Sequence, residues 1–246
     1  MKRQQVRKLL TLAFFLLFPV IIYYFSPILI LNGALLGVVV GCAVTFVALF
    51  VFSLFFGRAF CGWVCPVGGL QECLASAQNK KAKGGKRNLI KYFIWVPWLC
   101  AIAVFFARAG GFLGFDFFFE TTYGISVVEP ASYVVYYGVV ILVVVMSLTA
   151  GRRAFCHYLC WIAPFMVVGT KISNALRLPS LRIKADKEKC VGCKLCSAKC
   201  PMSLEVEKMV ADGRLNNSEC ILCGECVDAC PKKALMYTVK REQKAE

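Results

Sequence analysis

The chain has 246 residues, 59% of them hydrophobic and 17% charged, with a mean hydropathy of +0.67. A soluble domain is nearer half apolar, so an ordinary soluble globular protein is excluded. The formal charge is +15, yet residues 1–185 hold 18 of the 29 basic and four of the 14 acidic residues, and residues 186–246 hold 11 and 10. The excess flanks apolar segments, as in cytoplasmic anchoring, so no nucleic-acid partner is expected.

From Leu9 to Phe56 there is no charged residue. One helix cannot use so long a run, because about 20 residues span a bilayer. Asn32-Gly33 is a turn dipeptide, which divides the run into helices over Leu9–Leu31 and Ala34–Phe56. The first run is too long for a signal peptide and lacks a small-residue cleavage site, so it is expected to be retained. A third helix is read over Leu89–Ala107, with Lys91 snorkelling near one end and Pro97 kinking the middle. A fourth covers Ala131–Ala150. The N-terminus, the Lys80–Arg87 loop and Arg152/Arg153 then share the cytoplasmic side, with the Arg108–Pro130 loop outside. This is a multi-pass protein of the cell membrane with both termini cytoplasmic. Trp161–Lys184 reads as an interfacial amphipathic helix or a connector, and Pro179 marks the end of the membrane module. The module is placed at 1–180 and a second domain at 181–246, whose tail Lys240–Glu246 is expected to fray.

Shifting the chain by 95 residues lays Arg58-Ala-Phe-Cys61 on Arg153-Ala-Phe-Cys156, Trp63 on Tyr158 and Cys65 on Cys160. Each copy follows the second helix of a hairpin on the same side, which implies two parallel-repeat hairpins. A pseudo-two-fold brings together Cys61, Cys65, Cys156 and Cys160. A third cluster, a soft metal such as copper, or redox dithiols would each use such thiols. Arg58, Arg152 and Arg153 either depress the thiol pKa values or anchor helix ends to lipid phosphate. Cys42, Cys73 and Cys100 read as small hydrophobes.

The segment Cys190-Val-Gly-Cys193-Lys-Leu-Cys196-Ser-Ala-Lys-Cys200-Pro201 recurs thirty residues later as Cys220-Ile-Leu-Cys223-Gly-Glu-Cys226-Val-Asp-Ala-Cys230-Pro231. This is the C-x2-C-x2-C-x3-C-P run, present twice. The first three cysteines of a run hold one cubane and the fourth ligates the other. One [4Fe–4S] cluster is assigned to Cys190, Cys193, Cys196 and Cys230. The second is assigned to Cys220, Cys223, Cys226 and Cys200. The domain is thus a small α+β bacterial-type ferredoxin, following an α-helical membrane domain of four spans. No haem is expected: Cys156-His157-Tyr158-Leu159-Cys160 is not C-x-x-C-H, and one histidine cannot supply two axial ligands. His157 reads as a quinone hydrogen-bond partner or a polar interface residue.

Two Cys-x3-Cys segments after membrane hairpins, followed by a two-cluster ferredoxin, resemble the NapH/NosR/FixG-type membrane polyferredoxins, NapH-like members most. The resemblance implies membrane-bound electron transfer, with functional roles for Cys61-x3-Cys65-Pro66 and Cys156-x3-Cys160. The second copy departs from the pattern, with Trp161 in place of proline and Pro164 later. The expected function is passage of single electrons between a cytoplasmic redox partner protein and a membrane acceptor or donor such as quinone. The alternative is a metal-handling or maturation factor that binds or reduces copper at the four membrane thiols. The ferredoxin module, nearly neutral overall, gives no hint of the partner's charge.

Overall fold

The structure, a computed structural model, describes residues 2–213, 215 and 217–240. Residues 241–246 of the tail read as frayed lie outside the described residues. The fold is mostly helical. It begins with α1 (Lys2–Leu16), α2 (Phe18–Ile21), a 3-10 turn (Ile22–Phe25) and α3 (Pro27–Leu35). Next come β1 (Val38–Val40), α4 (Gly41–Phe56), α5 (Ala59–Trp63) and α6 (Pro66–Leu74). The second half has α7 (Ile90–Arg108), β2 (Gly114–Asp116), α8 (Pro130–Ala150), α9 (Ala154–Tyr158) and α10 (Ala163–Ala175). The last part has β3 (Ser180–Ala185), α11 (Leu195–Lys199), α12 (Val206–Ala211), α13 (Glu225–Asp228) and β4 (Leu235–Lys240).

Among the described residues two helices are long and apolar enough to cross a membrane, Gly85–Arg108 and Pro130–Ala150. At 1.5 Å per residue each exceeds the roughly 30 Å hydrocarbon thickness. Their outer faces carry apolar side chains such as Phe93 and Val134, 79% and 74% exposed, as a lipid-facing surface requires. The expectation of a continuous first helix over Leu9–Leu31 is corrected. The segment bends by 59° between Lys2–Leu16 and Phe18–Phe25. Pro19 sits in the first turn of α2 and Pro27 opens α3, and proline cannot continue an incoming helix. Asn32-Gly33 lies inside α3, and the turn falls at Leu36-Gly37, where Gly37 has φ +69°. The second helix accordingly starts at Gly41, not Ala34. Its 16 residues reach about 24 Å, and the extended Val38–Val40 adds about 10 Å.

Breaks in apolar surroundings leave carbonyls that need donors. The loop between α7 and α8 supplies several. Ser126 N–H donates to Val20 O (3.0 Å) and Val127 N–H to Pro19 O (3.1 Å). Trp161 donates its indole N–H to Phe25 O (2.7 Å) and Trp98 to Pro27 O (3.0 Å). That gives a physical role to the tryptophan standing where the first copy has Pro66. β1 pairs in parallel with β2, which ties the same loop to the turn before α4.

The 95-residue repeat is realised in the backbone. α5 and α9 occupy equivalent residues, and Cys65 N–H and Cys160 N–H bond Phe60 O and Phe155 O at 3.0 and 2.9 Å. The packing exchanges partners between copies: α6 lies on α1 and α8, and α10 lies on α7 and α4. The α10–α4 crossing is close, since a Cβ on Gly169 would meet Ser53 Oγ. α10 is therefore part of the core, with Met166, Val167 and Gly169 buried, rather than an interfacial helix or a connector. β3 and β4 form an antiparallel pair, Ser180 opposite Lys240 through Ala185 opposite Leu235. One apolar core runs from α4 and α8 through Phe155 and Met166 to Ile183, Ile221 and Leu235.

Candidate cofactor sites

Cys190, Cys193, Cys196 and Cys230 line one cavity, with Val191, Pro231 and Leu235. Cys200, Cys220, Cys223 and Cys226 line a second, with Ile183, Met202 and Ile221. The 30-residue repeat holds at the level of dihedrals. Gly192 and Leu222 have φ of 67° and 50°, Lys194 and Gly224 of 61° and 78°, Ser203 and Lys233 of 53° and 51°. Hydrogen bonds repeat too: Cys190 N–H to Lys187 O and Cys220 N–H to Asn217 O, then Ser203 N–H to Cys200 O and Lys233 N–H to Cys230 O. Left-handed residues of this kind turn successive backbone N–H groups into concave anion-binding nests, a setting suited to an iron–sulfur cluster. The sites differ in exposure. Cys193 is exposed and its three partners half-buried, whereas Cys200, Cys223 and Cys226 are buried.

Cys61, Cys65, Cys156 and Cys160 are all buried. They lie close enough for their charges to act on one another. Cys61 Sγ lies 3.5 Å from Met166 Sδ, and Gln71 Nε2 donates to Cys156 Sγ at 3.1 Å. Burial first, then the neighbouring thiols, pushes Cys65 well above the usual thiol range and Cys160 up to about 12. Among the described residues no three His, Cys, Asp or Glu side chains converge at the spacing of a single metal ion. Ligands of a tetrahedral ion stand within about 4 Å of one another; those around a four-iron cubane stand wider.

The arginines do not reach lipid phosphate. Arg58 is buried and pairs with Glu219 Oε2 at 2.5 Å, and Lys91, read as snorkelling, pairs with Glu219 Oε1 at 2.6 Å. Arg153 donates to Cys61 O (2.8 Å) and Glu72 Oε2 (2.9 Å), and Arg7 to Gly62 O, Glu72 and Glu225. Arg152 donates to Ala198 O. Burial raises the Glu72 carboxyl, but Arg153 and Arg7 outweigh it and hold it at about 2. Glu219 is lowered likewise, with Arg58 and Lys91 overcoming burial. Among the described residues, Arg153 Nε is a buried donor without a partner, and the Arg58 guanidinium lies against the Cys61 thiol. Buried donors of this sort want an acceptor, and the bridging sulfides of an anionic cluster would serve. The residues present therefore fit such a group.

The two thiol layers touch. A Cβ on Gly62 would run into Ile221 O, so only glycine lets α5 lie on the Cys220–Cys223 loop. Trp63 Nε1 donates to Leu222 O (3.0 Å) beside it. On the other flank an apolar cavity of about 150 Å³ reaches Cys65 and Cys160 between Phe18, Ile22, Phe25 and Trp161. His157 does not line it. It is buried elsewhere, its Nδ1 3.0 Å from Asn88 Oδ1, and burial lowers it to about 4. Cys42 is buried in α4, whereas Cys73 and Cys100 face outward and are not core packing. Sequence reasoning missed Glu72, Glu219 and Gly62. One signal existed for the first: Glu72 is the sole acidic residue between Leu9 and Arg87.

A family profile described as a 4Fe-4S binding domain matches the chain twice, over residues 38–84 and 132–179. A 4Fe-4S dicluster domain profile matches residues 182–237. An uncharacterised protein of Methanocaldococcus jannaschii is 26% identical over 96% of this chain and 88% of its own length. The putative electron transport protein YccM of Escherichia coli is 27% identical over 82% of this chain and 57% of its own length. The ferredoxin-type protein NapH of Haemophilus influenzae is 24% identical over 83% of this chain and 71% of its own. No solved structure matches the chain. The doubled membrane motif, the paired cysteine cages and these relatives place the chain in the NapH/NosR/FixG family of iron–sulfur membrane polyferredoxins.

Proposed function

We propose that the chain conducts single electrons between a cytoplasmic redox partner and the membrane, through three iron–sulfur sites in series. The outer site uses Cys190, Cys193, Cys196 and Cys230. The middle site uses Cys200, Cys220, Cys223 and Cys226, and the inner one Cys61, Cys65, Cys156 and Cys160. The observation that carries the reading is the seating of the Cys220–Cys223 loop directly on α5, with Gly62 against Ile221 O. Each cubane, when bound, takes up and releases one electron without obligatory proton transfer. The protein's part is to hold the sites apart from water and to set their potentials through burial, hydrogen bonds to sulfur and nearby charge. Gln71 and Arg58 are placed for that role at the inner site.

The membrane acceptor or donor in this reading is a quinone, whose ring suits the apolar cavity beside Cys65 and Cys160. The spans run through the cell membrane with both termini cytoplasmic, residues 1–180 forming the membrane domain and 181–246 the ferredoxin. Anaerobic mixing of the reduced protein with a short-chain quinone tests the route. The wild type is expected to reoxidise and the Cys61/Cys65/Cys156/Cys160 quadruple serine variant to stay reduced. Equal reoxidation of both would overturn the inner site's part in it.

A further inference from the structure

The ferredoxin part is nearly neutral in sequence but not in space. Three of its carboxylates are turned toward the membrane part and consumed there: Glu219 by Arg58 and Lys91, Glu225 by Arg7, and Asp228 by Arg3. Gln4 also donates to Asp228. What remains around the outer cysteine cage is different. Lys187, Lys194, Lys232 and Lys233 are exposed there. Lys187 O accepts from Cys190 N–H, Lys233 N–H donates to Cys230 O, and Lys194 and Lys232 line the cage itself. Lys189 is offset by Asp186 at 2.7 Å, and among the described residues Glu207 lines the cage and Glu188 is exposed next to Lys187 and Lys189 in the chain. Val191, which lines the cage, and Leu195 are 62% and 45% exposed, each two residues from the exposed Cys193.

An apolar centre within a charged rim is the anatomy of a protein interface, and a small one suits short-lived redox encounters. The middle site is the more covered of the two, with α5 and Trp63 packed on its loop. We propose that this lysine-ringed face over Cys193 is the docking surface for an acidic electron-carrier protein. The proposal rests on the electron-conduction reading and adds the partner's charge and the point of contact to it. Charge complementarity at the rim speeds encounter and selects partners more than it adds affinity, and it weakens with salt.

The test uses the full-length, cluster-loaded protein in detergent and a strongly acidic two-iron ferredoxin as probe, with binding read by biolayer interferometry at low and high salt. Iron content and EPR of the same samples report the clusters. Binding is expected to weaken at least tenfold as salt rises, and at least tenfold in a K187E/K233E variant at low salt with unchanged iron. A K86E/R87E variant, altered in the basic loop before α7, is expected to bind as the wild type does. Equal binding by the wild type and the K187E/K233E variant would overturn the proposal. So would tighter binding of a basic c-type cytochrome, equal weakening by K86E/R87E, or transfer of the salt-sensitive binding from the acidic protein to anionic lipid vesicles. Loss of the clusters from the wild type would instead defeat the electron-conduction reading.

Discussion

Glu72 and Glu219 each hold two cations in a place where a lone cation could not stay. Glu72 serves Arg7 and Arg153, which in turn take the carbonyls of Gly62 and Cys61. With its carboxyl held at about 2 against an ordinary 4.5, the folded state favours the ionised form. The contribution is complete above about pH 4.5 and is lost as pH falls toward about 2. It amounts to about 3 kcal/mol at neutral pH. Glu72→Gln is expected to lower stability by about that amount in denaturant titrations followed by circular dichroism. The wild-type advantage over it should disappear on acidification, and a constant difference down to pH 2 would show that the ion pairs are not its source. Glu219→Gln leaves Arg58 and Lys91 buried with one neutral acceptor between them. Iron at the outer cage should stay, while protease cuts between Leu178 and Ser180 should become faster, because the latch that seats the ferredoxin is gone. None of these pairs was legible from the sequence. Arg7 and Glu225 lie 218 residues apart, and an arginine beside an apolar run reads as a lipid anchor until its partner is located.

At the scale of elements, the cysteine loops were the most legible part. Ligand spacing dictates a tight turn, and the turn dictates left-handed residues at Gly192, Lys194, Leu222 and Gly224. The last two spans were also legible, because a single helix buries its own backbone polar groups and needs only apolar side chains. The first half was not. Hydropathy cannot distinguish a straight helix from a broken one, and the loop donors that stabilise the break at Pro19 lie more than 100 residues away. The proline itself was the readable sign. α10 was misjudged for a related reason: Ser173 is buried, and Thr170 bonds Met166 O of its own helix and faces Gly57. The junction between α5 and the Cys220–Cys223 loop makes its own prediction. Gly62→Val inserts a side chain where Ile221 O already stands, so the loop must lift. Iron content should hold near the wild-type value, while electron exchange between the ferredoxin and inner sites, followed by rapid-freeze EPR, should slow by at least tenfold. An unchanged rate would place the route elsewhere.

For the molecule as a whole, the repeat does more than double a motif. α6 packs on α1 of its own copy and α8 of the other, and α10 on α4 of the other copy and α7 of its own, so both copies hold the membrane cysteines in place. The inner site proposed here therefore draws on both copies, and the cysteine loops of residues 190–231 are seated beside it by buried ion pairs and a glycine contact. That arrangement makes the number of iron–sulfur sites the central claim. Iron and acid-labile sulfide, with EPR of the reduced protein, should be measured on the wild type and on the Cys61/Cys65/Cys156/Cys160 quadruple serine variant. Three sites predict about twelve iron atoms per wild-type chain and about eight in the variant, with one EPR component lost. About eight in both would contradict the account and reduce the membrane cysteines to packing or thiol chemistry.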